Sequence, residues 1–267
     1  MSETAVIEKT DSPLTKERLI AALRAVGVKK DDTLLVHSAL SNLGYVIGAA
    51  QSVLEALLET VEDGTIVMPA HTGDNADPAK FKNPPLPEKW HASYKEHYPA
   101  FDKETSHLRG MGRIAVQFFA MKDTLRSDHP TVSFTARGAL AETITASQPL
   151  SPMFGRESPI GRIYEHGGRI LLLGASFASC SAFHLSEIMS GVVGRTREQA
   201  AIKENGVRRW VTYEDYAYDE ADFEEVGNQL PSENVTSSPA GPGEVRLMDA
   251  RTVIDEAAKI IRGLRTA

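Results

Sequence analysis

The feature of this chain that most restricts its fold is a pair of short apolar runs, Thr33-Leu-Leu-Val-His37 and Gly64-Thr-Ile-Val-Met-Pro69, held apart by a helix-length segment. Runs this short and rich in branched side chains read as buried strands. Between them Val53, Leu54, Leu57, Leu58 and Val61 recur at helical spacing, giving the order strand, loop, helix, strand. Parallel strands need a crossover of that length, whereas a hairpin needs only a few residues. A third run, Arg169 to Gly174, leads through a Ser-rich loop into a helix over Ala182 to Ser190, with Gly191 placed to end it. Thr15 is suited to cap a first helix that stops at Gly27, and a last helix is expected near Arg251 to Leu264. The expected class is α/β: a mixed or mostly parallel sheet flanked by helices.

One domain is expected over residues 15–267, preceded by a polar, frayed segment 1–14, with no internal repeat and no linker. Asp74 to Arg109 shows no regular apolar period and contains Pro78, Pro84, Pro85 and Pro87, so it reads as a long loop or insertion. From Val211 to Arg246 the chain turns acidic and then rich in Ser, Pro and Gly.

Charge and cysteine usage narrow the function classes. The net charge is −7, from 29 Lys+Arg against 36 Asp+Glu, which disfavours nucleic acid and suits a cationic partner. The lone Cys180 excludes an intrachain disulfide framework. The most apolar stretch is much shorter than the roughly 18 residues that a membrane span needs. MSETAVIEKT carries no secretory apolar core, so no membrane and a cytoplasmic setting are expected.

Ligands of open α/β sheets gather at the carboxyl ends of strands, and here those ends deliver His37-Ser38, His71-Thr72 and Ser176 to Ser181. His71 also admits a purely structural reading. The loop Ser38 to Gly48 offers glycines, hydroxyls and helix-start amides to an anion. It matches neither the phosphate-loop nor the dinucleotide fingerprint. His184 and Glu187, three apart on a helix, share one face, where a carboxylate can shape imidazole basicity, although such pairs also occur as plain surface pairs. Metal-site spacings are missing and no metal is expected. Arg126-Ser-Asp-His129-Pro130 reads as a rigid turn or as a phosphate contact through the guanidinium fork. Glu214 to Glu225 holds seven acids with three aromatics interleaved, either a solvated face or a wall for a polycation.

Taken in order, Leu35-Val-His-Ser-Ala-Leu-Ser-Asn-Leu-Gly44, Gly64 to Pro69, Met111-Gly112, Arg126-Ser-Asp-His-Pro130 with Ser133, Ser158-Pro159, Leu171-Leu-Leu-Gly174 and His184-Leu-Ser-Glu187 resemble the aminoglycoside 3-N-acetyltransferase family. The match runs from about residue 15 to 265, with Ala39 where the family usually has a second serine and Ser186 where alanine is common. The resemblance implies direct acetyl transfer from acetyl-CoA to the 3-amino group of an aminoglycoside, an antibiotic-resistance activity. His184 is implied as the base, because an ammonium must lose a proton before its nitrogen attacks a thioester; Glu187 and His129 are implied beside it. For the CoA site it implies His37, Ser38, Ala39, Leu40, Ser41, Leu43, Gly44, Tyr45, Val46, Arg126, Ser127 and Ser133. His71, Asp74, Asp77, Asp215 and Asp219 are expected to face the cationic small-molecule acceptor. Another primary amine such as a peptide or amino sugar, CoA thioester hydrolysis, a non-catalytic CoA-binding role and a homodimer all stay open.

Overall fold

The computed structural model describes residues 2–266; Met1 and Ala267, at the outer ends of the expected segments 1–14 and 15–267, lie outside the described residues. Ahead of the sheet come α1 (Glu3–Glu8), capped by the Ser2 side chain, and α2 (Lys16–Ala25), capped by Thr15 as its sequence predicts. Strand β1 (Thr33–Ser38), crossover helix α3 (Ala49–Thr60) and β2 (Thr65–Pro69) form the expected unit, with Leu35 opposite Val67 in parallel register. Next in the chain are α4 (His91–His97), α5 (Arg113–Phe119), β3 (Leu125–Arg126), β4 (Phe134–Gly138), α6 (Ala141–Thr145) and α7 (Pro159–Glu165). Strand β5 (Arg169–Leu173) pairs with β1 in parallel, placing His37 beside Leu172, and leads into α8 (Phe183–Ser190).

The remaining elements are β6 (Arg195–Glu204), β7 (Val207–Tyr216), α9 (Phe223–Asn228), β8 (Thr236–Ala240), β9 (Gly243–Asp249) and α10 (Ala250–Thr266). The main sheet runs β3-β4-β2-β1-β5-β9-β8, with three parallel strands at its centre and antiparallel strands at both edges, so it is mixed. Side chains alternate faces along a strand. Leu34, Val36, Leu171 and Leu173 pack under α2, α3 and α5, whereas Leu35, Ile170 and Leu172 pack under α7, α8 and α10. That alternation turns His37, two residues after Leu35, toward the face that carries α8. Among the described residues no helix is long and apolar enough to cross a membrane.

Three regions depart from the sequence expectation. Residues expected to be frayed before Thr15 include α1 and the fully packed Leu14, which bridges to Val46. The insertion Asp74 to Arg109 holds α4 and two 3-10 turns, Pro78–Lys80 and Glu88–Trp90, instead of one long loop. The β6–β7 hairpin is a separate two-stranded sheet whose charged strands hide their period. A signal for it stands in the sequence: Asn205-Gly206, both at positive φ (52° and 78°), is the residue pair that a tight hairpin turn demands.

Insertion and hairpin are bound together. The buried Asn75 side chain donates to Ala201 O (2.9 Å) and accepts from Ala201 N (2.8 Å), a two-point clamp on β6. Asn75→Ala leaves both backbone groups of Ala201 without that partner, and a loss of about 1–3 kcal/mol in denaturant unfolding is expected, with intact far-ultraviolet dichroism at room temperature.

Candidate active site

The strand-to-helix connection after β5 sets the site. Helical spacing brings His184 and Glu187 onto one face of α8, and Glu187 is fully buried. His184 Nδ1 lies 2.6 Å from Glu187 Oε2. A carboxylate only accepts, so the hydrogen of this contact sits on Nδ1, and the ring itself lines the cavity. The second carboxylate oxygen, Oε1, accepts from Asp219 N (2.9 Å) and Arg265 Nη1 (2.6 Å). Phe154 stacks on the imidazole at 4.3 Å, and Tyr218 and Phe223 close on it at 5.3 and 4.9 Å, so the ring has little freedom to rotate.

His184 opens on a cavity of about 900 Å³ that His37 and His71 also line. Burial pushes both of these down to about 3, with the nearby His184 charge acting in the same direction. They are therefore neutral at pH 7. His129 is fully buried and is not on the cavity wall; Thr131 and Val132 are there instead. Its Nδ1 accepts from Thr131 N (3.2 Å) and Val132 N (3.1 Å), shaping that stretch of wall, and burial pushes it down to about 4. His129 therefore acts as a turn-forming side chain rather than a group in contact with the cavity.

A narrower groove of about 360 Å³ adjoins the cavity and shares Ser38 and Gly112 with it. Ser38, Ala39, Leu40, Ser41, Gly44, Tyr45 and Val46 line this groove, together with Arg113 and with Glu3 and Val6 of α1. Leu43 does not: it is fully buried in the core.

The expectation for Arg126, Ser127 and Ser133 is corrected. The Arg126 guanidinium is buried and donates to Ser133 Oγ (2.9 Å), Ser106 O (2.6 Å), Ala70 O (2.7 Å) and Thr72 Oγ1 (2.7 Å). It lies 5.0 and 4.9 Å from the ring centres of Phe101 and Phe119. Ser133 Oγ donates to Ala70 O, and Ser127 Oγ accepts from Phe134 N and donates to Gln148 Oε1. Four of the five guanidinium N–H groups are thus engaged, Arg126 alone of the three reaches the insertion, through Ser106 O, and none of the three lines the groove.

The acids expected to face an acceptor are also turned elsewhere. Asp74 is buried against His107 Nε2 (3.0 Å) and Arg109 (3.7 Å). Asp77 accepts from Ala79 N and pairs with Lys95 at 3.0 Å. Asp215 is fully buried, accepting from Met153 N (2.9 Å) and Ser151 Oγ (3.1 Å), and burial raises its carboxyl above the usual range. Asp219 donates its amide to Glu187 and accepts from Ala221 N through its carboxylate. None of the four side chains lines the cavity. Its charged lining is Lys80, Lys82, Glu198 and Glu220, with Lys80 and Glu198 paired at 2.6 Å. Phe81, Phe154, Tyr216, Tyr218 and Phe223 form its aromatic wall. Tyr216, Tyr218 and Phe223 stand in the Glu214 to Glu225 segment, which also contributes one of its seven acids, Glu220, to the lining; for Phe154 the sequence carries no signal.

Comparison with known proteins places the chain in a family. A family model described as aminoglycoside 3-N-acetyltransferase matches residues 35–262. The chain is 37% identical over 257 residues to the SPbeta prophage-derived aminoglycoside N(3')-acetyltransferase-like protein YokD of Bacillus subtilis (strain 168), covering 95% of this chain and 94% of the relative. The crystal structure of YokD superposes with a TM-score of 0.94 at 35% identity over 98% of each chain. Aminoglycoside N(3)-acetyltransferase VII of Streptomyces paromomycinus is 31% identical over 274 residues, covering 96% of this chain and 94% of its own. The structure of AAC-IIIb in a binary complex with CoASH superposes with a TM-score of 0.81 at 26% identity, covering 95% of this chain and 98% of that one.

Two outcomes follow from these contacts. Arg126→Gln removes a buried charged donor and lowers unfolding stability by about 2 kcal/mol or more, while calorimetric affinity of the folded protein for CoA stays unchanged. The buried histidines make the fold acid-sensitive. Unfolded, they take protons near 6.5, whereas folded His37 and His71 wait until about 3 and His129 until about 4. The unfolded state thus binds more protons in between, so stability falls as pH drops from about 6.5 toward 4. His129→Asn keeps an acceptor for the two amides without titrating, and should make this fall shallower in denaturant titrations.

Proposed function

With the chain a member of the aminoglycoside 3-N-acetyltransferase family, we propose that it transfers the acetyl group of acetyl-CoA directly to the 3-amino group of an aminoglycoside, with His184 as general base. The observation that carries this reading is the 2.6 Å contact between His184 Nδ1 and the buried Glu187, on a ring that lines the cavity where a second groove joins it. The CoASH complex of AAC-IIIb supports acetyl-CoA as the donor.

The groove suits such a donor by its chemistry. Arg113 supplies a cation for phosphate, Ser38 and Ser41 supply hydroxyls, and the exposed Tyr45 ring offers a stacking face. When bound there, acetyl-CoA supplies an activated acyl group at the junction marked by Ser38 and Gly112. His184 takes a proton from the acceptor ammonium at Nε2, and the amine nitrogen forms its bond to the thioester carbonyl carbon as the carbon–sulfur bond breaks. The acylated nitrogen sheds its second proton to solvent as the amide forms, and the proton on Nε2 passes to the departing thiolate. Glu187 compensates the imidazolium charge and fixes the ring plane. The aromatic walls exclude water from the reacting centre, which favours aminolysis over hydrolysis.

A second reading, acetylation of a less charged primary amine such as a simple amino sugar, has one observation in its favour. The cavity's two lysines balance its two glutamates, and the neighbouring acids are already paired. Release of free CoA thiol from acetyl-CoA, followed separately with gentamicin and with glucosamine, distinguishes the two.

His184→Ala should lower kcat by roughly 100- to 10,000-fold, the usual worth of a general base, with CoA affinity by calorimetry unaltered. Near-normal turnover at saturating amine would reject His184 as the base.

A further inference from the structure

Behind His184 and Glu187 stands a third group from the far end of the chain. Arg265 lies in the last turn of α10, and its side chain is one-fifth exposed. Its fork makes two separate connections: Nη1 donates to Glu187 Oε1 at 2.6 Å, while Nε and Nη2 grip both Asp222 oxygens at 2.8 and 2.7 Å. Nη2 also donates to Asp219 O at 2.6 Å. A lysine, with one compact ammonium, cannot span both carboxylates in this way.

We propose that Arg265 is a positioning residue for acetyl transfer, holding the Glu187 carboxylate in place and setting how strongly it favours the imidazolium form of His184. The inference rests on the reading of His184 as the base. Glu187 has one oxygen for the imidazole and one for the guanidinium, so the cation draws part of the carboxylate charge away from the ring. Without Arg265 the full negative charge would act on His184 and hold its proton more tightly, while Glu187 would be free to turn. The other titratable or charged groups around the ring are Tyr218, Asp219 and Asp222 from the segment after β7, and His37 and His71 from the strand ends. Both histidines are neutral, and Asp222 is neutralised by Arg265 itself, its carboxyl held below the usual range mainly by that hydrogen bond. Arg265 is thus the one cation in direct contact with the proposed base's partner among the described residues.

The test compares Arg265→Gln and Arg265→Lys with the unaltered protein in two measurements. The first is kcat against pH with acetyl-CoA and gentamicin; the second is nuclear magnetic resonance titration of the His184 ring. For Arg265→Gln, kcat at neutral pH should fall roughly 100-fold, the scale of a misplaced catalytic group, and recover in part at alkaline pH, with CoA affinity unchanged. Its acid limb and the His184 ring titration should both move upward by about one unit, as loss of a nearby cation requires. Arg265→Lys should return the titration toward its original position without restoring full kcat, because charge returns and the fork does not. A ring titration unmoved in Arg265→Gln, or a kcat loss equal at every pH accompanied only by a lower Tm, would overturn the proposal and leave Arg265 a plain helix anchor. Survival of activity in His184→Ala would instead remove the base reading, a result visible independently of the ring titration, which reports on Arg265 even if gentamicin is not turned over.

Discussion

Burying one carboxylate governs the architecture of this site. Glu187 is completely enclosed, and an ion removed from water costs several kcal/mol even after the protein relaxes around it. Its compensation comes from three places far apart in sequence: the His184 ring one turn back on α8, the Asp219 amide beyond β7, and Arg265 at the end of α10. Those elements must therefore dock together before the carboxylate can be buried at all. The arrangement that satisfies Glu187 also fixes the His184 ring, whose Nδ1 is tied to the carboxylate, in the orientation that the proposed mechanism uses.

The parts of this plan that depend on local spacing were legible in the sequence. His37 at the end of an apolar run, the crossover through Val53 to Val61, and His184 three residues before Glu187 all follow from strand alternation or helical period, and the structure has them where those periods place them. What depended on distant partners was not legible. Arg126 looks like a phosphate ligand in its own pentapeptide, yet its acceptors are contributed by Ala70, Thr72, Ser106 and Ser133. Asp215 sits among acids and aromatics that suggest a solvated wall, but Ser151 and Met153 draw it into the interior. A charged residue's neighbours in sequence state what it is, and only its neighbours in space decide whether that charge is still available. The β6–β7 hairpin is a different case: its turn pair Asn205-Gly206 was readable, while the charged strands flanking it lack the apolar alternation that would have named them.

The remaining histidines bear on why a cationic amine can be accepted at all. His37, His71 and His184 share one cavity wall, and three imidazolium ions there would repel an ammonium from the nitrogen that must deprotonate it. Burial prevents this for two of them, because neither His37 Nε2 nor His71 Nε2 has a hydrogen-bond partner to offset desolvation, and both are pushed down to about 3. His184 alone of the three has a carboxylate against its ring, which is why the proposed mechanism gives it the proton. The incoming amine then meets neutral rings, with the faces of Phe154 and Tyr218 available to its positive charge, and a single basic nitrogen among them. Confining protonation to one imidazole gives the proposed proton transfer a unique destination, and it makes the surrounding apolar burial of His37 and His71 as necessary to the chemistry as the ion pair behind His184.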